Sequence, residues 1–327
     1  MELIQDFNSI LKSFNIKASC VAHNRIDNYF YYDLKLNPTA KVKDLQKYSD
    51  EISLALKTPC KPSVKILHNE GIVRLEFAVP RTTELRLFSF FSKDVPKGEI
   101  NCLLGQTVDG RKLWMDLAQN PHMIISGTTG SGKSTLLHNI IANLHHYNDV
   151  DLLLVDPKRI EFGLYQNIKS LNVYFSYDEA MSVLDCALRI MDFRYELIRS
   201  GQSAGKLKPI VIIIDEFADL IMQDKNDQFY LALCRLAQKC RAAKIHIILS
   251  TQRPSVNIIN GTIKANFPAR IACRVASHID SKVILDSVGA ENLLGKGDAL
   301  VKDNSRFLER FQVAYTDAAE VCSHYGK

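Results

Sequence analysis

Eight consecutive residues, Gly127-Thr128-Thr129-Gly130-Ser131-Gly132-Lys133-Ser134, follow the pattern G-x-x-x-x-G-K-[ST]. That pattern suits the binding of a phosphate chain. Glycine admits positive φ, so the backbone can curl its N–H groups inward around an anion. Lys133 is placed to reach the β- and γ-phosphates, and the Ser134 hydroxyl to ligate Mg²⁺. The apolar run from Ser134 to Leu144 reads as a helix that takes Thr135 into its first turn. Its unpaired N–H groups and positive dipole end favour negative charge. The expected bound species are ATP and Mg²⁺.

A phosphate loop needs acids to hold the metal and to activate water. The stretch "VIIIDEF" supplies both. Asp215 ends an apolar run, where it can hold the Mg²⁺ shell as a Walker-B aspartate does. Glu216 follows it and can polarise the attacking water. A third run, "IHIILSTQRPS", ends in Ser250, Thr251 and Gln252. A polar side chain at that tip, on a strand between the other two, can sense the γ-phosphate. The sequence order is phosphate-loop strand, another strand, acidic strand, polar-tipped strand. It matches RecA-like ATPases with an added catalytic glutamate.

The elements that must position these groups are legible in outline. "MIIS", "LLLVD", "VIIID", "IHIILST" and "ARIACRV" are short, uniformly apolar runs, as expected for strands of a parallel sheet buried on both faces. Helical segments lie between them; the clearest carries Met181, Leu184, Leu188, Met191, Tyr195 and Ile198 at steps of three and four. Residues 96–327 therefore read as an α/β motor domain. Residues 1–95 read as a small α+β domain. In it, "YFYYDLKL" alternates as a strand that places Phe30, Tyr32, Leu34 and Leu36 on one face, ended by Pro38. Val42, Leu45, Ile52 and Leu56 then have helical spacing, and "SVKILHNEGIVRLEFAV" folds back on itself at Asn69–Gly71. His68, in that turn, is expected to be a solvated loop residue.

Composition excludes some classes. Hydrophobic residues make up 46% and charged residues 24%, which is ordinary for a globular chain. No apolar run approaches the roughly 20 residues needed to span a bilayer, and the N-terminus lacks a secretory pattern. The eight cysteines have no zinc-ligand spacing, so reduced thiols in a cytoplasmic protein are expected. The net charge of +5 is mild, but its distribution is uneven. From Arg235 to Lys282 there are nine Lys and Arg residues against one acid, Asp280. That excess is an electrostatic footprint for phosphates.

Beyond the phosphate loop, the segments "LLLVDPKR" and "VIIIDEFADL", the lead-in "INCLLGQTVDGRKLWMDLAQNPHM" and above all the block from Leu236 to Leu300 resemble the motor of the FtsK/SpoIIIE DNA translocases. The N-terminal module resembles the α domain that precedes that motor. The resemblance spans about residues 25 to 315. It implies a homo-oligomeric, hexameric ring that translocates double-stranded DNA by hydrolysing ATP. It implies Lys133 and Ser134 as the Walker-A pair, Asp215 and Glu216 as the Walker-B pair, and Gln252 as γ-phosphate sensor. Arg241 falls where the family's trans-acting arginine finger lies. Arg253 and Lys264 match basic positions on loops facing the DNA channel; His278 stands where many members have lysine, and Lys282 lies in the same basic stretch.

Related ring ATPases that move single-stranded DNA in conjugation, a viral genome or a secreted protein would share the Walker motifs. The transmembrane helices and γ domain of membrane-bound members have no counterpart in the sequence. Loading and orientation are therefore expected to depend on a separate partner or segment.

Overall fold

The computed structural model describes residues 2–168, 171–201, 203, 205, 207–304 and 308–326. In chain order, the first elements are α1 (Glu2–Ser13), β1 (Ala18–Ile26), β2 (Tyr29–Leu36), α2 (Val42–Lys47), α3 (Ser49–Ala55), β3 (Ser63–Leu67) and β4 (Ile72–Ala78). The four strands form one antiparallel sheet in the order β1-β2-β4-β3. Tyr32 and Leu34 of β2 join Phe7, Leu11, Leu45 and Ile52 in a core beneath this sheet. This is the apolar face read from "YFYYDLKL". The opposite face is also used. Tyr29 and Tyr31 are buried with Ala78 and Val108, and Asp33 is buried in a two-pronged pair with Arg74 at 2.7 and 2.9 Å.

The second sheet has ten strands. Its elements are α4 (Leu87–Phe90), β5 (Asn101–Thr107), β6 (Lys112–Asp116), β7 (His122–Ser126), α5 (Lys133–Tyr147), β8 (Asp151–Val155), β9 (Leu171–Tyr174), α6 (Tyr177–Arg199), β10 (Ile210–Ile214), α7 (Phe217–Gln223), α8 (Gln228–Lys239), β11 (Ile245–Thr251), α9 (Gly261–Asn266), β12 (Ala269–Cys273), α10 (His278–Leu285), β13 (Asp298–Lys302), β14 (Leu308–Val313) and α11 (Ala318–Tyr325). The strand order is β6-β5-β14-β13-β12-β7-β11-β10-β8-β9. The six strands from β12 to β9 are parallel, and the other four extend the sheet antiparallel. The parallel sheet expected from sequence is therefore the larger part of a mixed sheet.

The continuous apolar runs have a direct cause. In β10, Ile210, Ile212 and Ile214 face a core built with α6, α7 and α8, while Val211 and Ile213 face a second core built with α5. Side chains alternate across a strand, so a strand covered on both faces needs apolar residues at every position. Among the described residues, no helix is long and apolar enough to cross a membrane.

Register decides where chemistry can happen. Thr251 pairs with Ser126, Leu249 with Ile214, and Ile214 with Val155. The carboxyl ends of β7, β11, β10 and β8 thus lie along one edge, where open α/β sheets place ligands. Helix α5 is fastened beneath that edge by buried amides. Asn139 Nδ2 donates to the carbonyls of Leu104 and Ala314, and Asn143 Oδ1 accepts the N–H of Leu103.

Candidate active site

The loop between β7 and α5 takes the shape its glycines permit. Gly130 and Gly132 have φ of +76° and +103°. At Gly132 a Cβ would lie 2.4 Å from the backbone nitrogen of Gly297, so the absence of a side chain is required as well as the backbone freedom. The contact belongs to a brace. The N–H groups of Lys296 and Gly297 donate to the carbonyls of Gly130 and Ser131 at 3.2 and 2.8 Å, and the N–H of Thr128 donates to the Arg274 carbonyl at 2.9 Å. Thr129 Oγ1 donates to Gln252 Oε1 at 3.2 Å. The first N–H groups of α5, from Lys133 to Thr135, have no partner within the helix by its geometry. The cradle therefore fits a phosphate chain.

Lys133 is buried within this site. Its Nζ donates to Asp215 Oδ1 at 2.6 Å and to Ser250 Oγ at 2.8 Å, and Ser250 Oγ donates to the same carboxylate oxygen at 2.9 Å. Lys133 and Asp215 are 3% and 2% exposed, so the pair is desolvated and each charge depends on the other. A phosphate entering the cradle would compete for the same ammonium.

Glu216 takes a left-handed backbone, φ 49°, at the start of α7 and is 1% exposed. Its carboxylate accepts Thr251 Oγ1 at 2.7 Å and the Gln252 N–H at 3.1 and 3.2 Å. Lys158 Nζ stands 3.5 Å from Glu216 and 3.4 Å from Asp219. Partial burial opposes the charge on Lys158, but these two acids raise its pKa. The Arg253 N–H donates back to Thr251 Oγ1 at 3.0 Å, so Thr251 touches both the acid and the basic loop.

Ser134 meets an acid that no motif marks. Its Oγ donates to Glu161 Oε1 at 2.6 Å. Hydrogen bonding from His138, partly opposed by burial and reinforced by Ser134, holds the Glu161 carboxyl below its ordinary pKa. Among the described residues, no group of three or more His, Cys, Asp or Glu side chains is arranged to hold a metal ion. The donor set instead suits Mg²⁺ of the phosphate-loop kind, which takes few protein ligands alongside substrate phosphates. Ser134 and Asp215 are the residues that would supply them.

The other sequence-derived residues lie in three places. Arg253 is exposed beside a cavity of about 380 Å³ lined also by Thr128, Gln252, Val256, Ile279 and Val283. His278, the first residue of α10, is exposed and precedes Ile279, which lines that cavity. Lys264 is tied down. Its Nζ donates to Asp286 Oδ1 at 2.9 Å and lies 3.5 Å from the carbonyl of Lys282, whose side chain is exposed. Asp286 also holds Arg270 and Lys302, at 2.5 and 3.1 Å. Burial opposes ionisation of Asp286, but bonds from Lys264, Arg270 and Lys302 keep its carboxyl well below the usual range.

Arg241 is exposed in the turn before β11, on a cavity of about 490 Å³ with Glu99, Tyr195 and His246. Arg241 precedes the amino end of β11, whereas the phosphate loop lies at the carboxyl ends of the strands; the six residue steps from Ile245 to Thr251 between those ends span about 20 Å at ordinary strand rise.

The FtsK/SpoIIIE family profile matches residues 91–205 and 200–256. The chain is 34% identical over 337 residues to the DNA translocase FtsK of Chlamydia muridarum, covering 93% of this chain and 42% of that protein. It is 36% identical over 319 residues to the DNA translocase SftA of Bacillus subtilis, covering 90% of this chain and 33% of that one. The chain thus spans well under half the length of these relatives. Among solved structures, the pCW3 conjugation coupling protein TcpA with ATPγS superposes with a TM-score of 0.68 at 22% identity, over 98% of this chain and 96% of that one. The cytoplasmic domain of the type VII secretion ATPase EccC of Thermomonospora curvata gives 0.62 at 23% identity, over 72% of this chain and 32% of that one. The shared feature at these identities is the P-loop ATPase fold.

Proposed function

The chain belongs to the FtsK/SpoIIIE family, and from that premise we propose that it is an ATP-hydrolysing motor that moves double-stranded DNA through a ring of its own copies. One observation carries the reading. Glu216 is bonded to Thr251 and Gln252, and Thr251 is bonded to the N–H of Arg253. The acid that would activate water and the arginine that would touch DNA are therefore two hydrogen bonds apart.

In this reading Lys133 leaves Asp215 and Ser250 to hold the β- and γ-phosphates. Ser134 and Asp215 hold Mg²⁺, which when bound neutralises charge on the phosphate oxygens. Glu216 takes the proton of the attacking water, with Thr251 and the Gln252 N–H fixing its carboxylate. Gln252, paired with Thr129 of the loop, senses the γ-phosphate. Arg241 is too far from its own loop and serves the neighbouring copy, which makes hydrolysis depend on assembly.

Arg253 and His278 grip the DNA backbone from the rim of one cleft, with Lys282 beside them. Lys264 contributes through the Asp286 cluster rather than as a free cation. Such grip is sequence-independent and weakened by salt. We assign residues 1–95 to a small domain and 96–327 to the motor. The eight unpaired cysteines support a reducing, cytoplasmic setting.

The test is phosphate release with and without linear duplex DNA at two salt concentrations. The expected result is stimulation by the duplex that falls at high salt and disappears in Lys133→Ala. Stimulation by single strands alone would replace the duplex reading, and Lys133→Ala activity equal to wild type would overturn the catalytic assignment.

A further inference from the structure

The motif residues leave one carboxylate in the phosphate-loop site without a role. Glu161 lies between β8 and β9. Its Oε1 accepts Ser134 Oγ at 2.6 Å, and its Oε2 is 3.4 Å from His138 Nε2. The other ring nitrogen of His138 meets the Tyr165 hydroxyl at 2.8 Å. Ser134 and His138 are four residues apart on α5 and therefore share a face. Glu161 spans both.

The backbone beneath Glu161 is fixed. The N–H groups of Glu161 and Phe162 both donate to Asp156 Oδ2 at 2.9 Å, and Asp156, Phe162 and Tyr165 are completely buried. A carboxylate can only accept, so Ser134 must donate in its bond to Glu161. A hydroxyl has one proton and two lone pairs. With the proton committed to Glu161, the lone pairs of Ser134 point elsewhere. The other nearby acid, Asp215, is occupied by Lys133 and Ser250.

We infer that Glu161 is a positioning residue: by taking the Ser134 proton, it presents that oxygen as the ligand for the Mg²⁺ that accompanies the nucleotide. It stands to Ser134 as outer-shell carboxylates stand to metal-binding histidines. The inference rests on reading the loop as a Mg²⁺–nucleotide site.

The experiment titrates the full chain with a fluorescent ATP analogue, in Mg²⁺ and separately in EDTA, for wild type, Glu161→Leu, Ser134→Ala and the double variant. Wild type binds more tightly with Mg²⁺. Glu161→Leu, which removes the acceptor, loses about 10- to 100-fold of that Mg²⁺-dependent gain while its affinity in EDTA is unchanged. The double variant loses no more than Ser134→Ala, because Glu161 acts through Ser134. Glu161→Asp, which keeps the accepting charge, recovers part of the gain and carries the test should Glu161→Leu not fold. Bound Mn²⁺, counted by electron paramagnetic resonance, follows the same order.

The inference is overturned if Glu161→Leu keeps the full Mg²⁺ gain, if it loses equally in EDTA, or if the two substitutions add. Wild type that binds no nucleotide would overturn the underlying site reading instead.

Discussion

Thr251 Oγ1 donates to Glu216 Oε1 at 2.7 Å, joining the last residue of β11 to the acid that follows β10. Both groups are buried, so the bond is shielded from water and neither partner can find a replacement cheaply. Thr251→Val keeps the shape and removes the donor. We expect kcat for ATP hydrolysis to fall about 10-fold, as a general base loses alignment, with nucleotide affinity unchanged. Stimulation by DNA should fall further than basal turnover. Steady-state assays with and without duplex DNA check both outcomes.

Arg241 and Lys133 lie at opposite ends of the central strands and so, in the proposed ring, serve different ATP sites of one copy. Arg241→Ala and Lys133→Ala should each lose activity, the former on the order of 10³-fold. Mixed together, they should regain some. A hybrid interface then combines Lys133 from one copy with Arg241 from the other. Recovery of phosphate release on mixing is the measurement, and none would place Arg241 outside the site.

Gly130 and Gly132 should respond differently to the same substitution. Nothing lies within 4 Å of a Cβ at Gly130, whereas one at Gly132 meets Gly297 backbone at 2.4 Å. Gly130→Ala faces only its left-handed backbone, a cost of about 1 kcal/mol. Gly132→Ala should abolish nucleotide binding and lower the melting temperature more. Isothermal titration and thermal melts of the two variants make the comparison.

Two buried sites pull stability in opposite directions as pH changes. Burial, aided by their mutual repulsion in the case of His122, lowers the pKa of His122 to about 3 and of His246 to about 4. Their contribution is fully present above pH 6.5, the unfolded value, and is lost as the unfolded chain binds protons on acidification. Burial raises Glu76 to about 7, against the pull of Lys65, Arg310 and Arg74. That carboxyl is neutral in the fold but ionised in the unfolded chain between pH 4.5 and 7, so stability declines as pH rises through this window. Glu76→Gln should become more stable relative to wild type across that window and level off above it. Urea midpoints from pH 5 to 8 read the slope.

The parallel strands were legible because β10 is apolar at every position and β11 carries the run Ile247-Ile248-Leu249, a texture that a strand covered on both faces requires. The antiparallel flank was not. In β13 and β14, Asp298 and Arg310 look like solvent-facing charges, yet both are 1% exposed and satisfy each other. Charges that pair across strands leave no mark in a linear pattern. Strand β1, "ASCVAHNRI", lacks alternation because Cys20 alone of its residues is buried. The phosphate loop and its acids were readable because their spacing is fixed by phosphate geometry. Glu161 and Lys158 were not, because a loop brings them to Ser134 and Glu216 at no set interval. Arg241 and Lys264 could be located from the sequence, but it could not disclose that one stands at the far edge and the other is held by Asp286.

The buried junction around Asp298 binds the two sheets more closely than their separate cores suggest. Tyr29 donates to Asp298 Oδ1 at 2.9 Å, and Arg310 bonds both Asp298 oxygens at 2.9 and 2.6 Å. Arg310 also reaches the Glu76 carbonyl at 3.1 Å, while Asn28 bonds Gln312, which in turn bonds the Lys296 carbonyl at 2.9 Å. Lys296 and Gly297 are the same residues that brace the phosphate loop. A chain started after residue 95 would therefore lose a buttress along with its leading module. Arg310 would be opened to water, the glycine turn would slacken, and the machine would grasp its fuel less firmly although every motif remained intact.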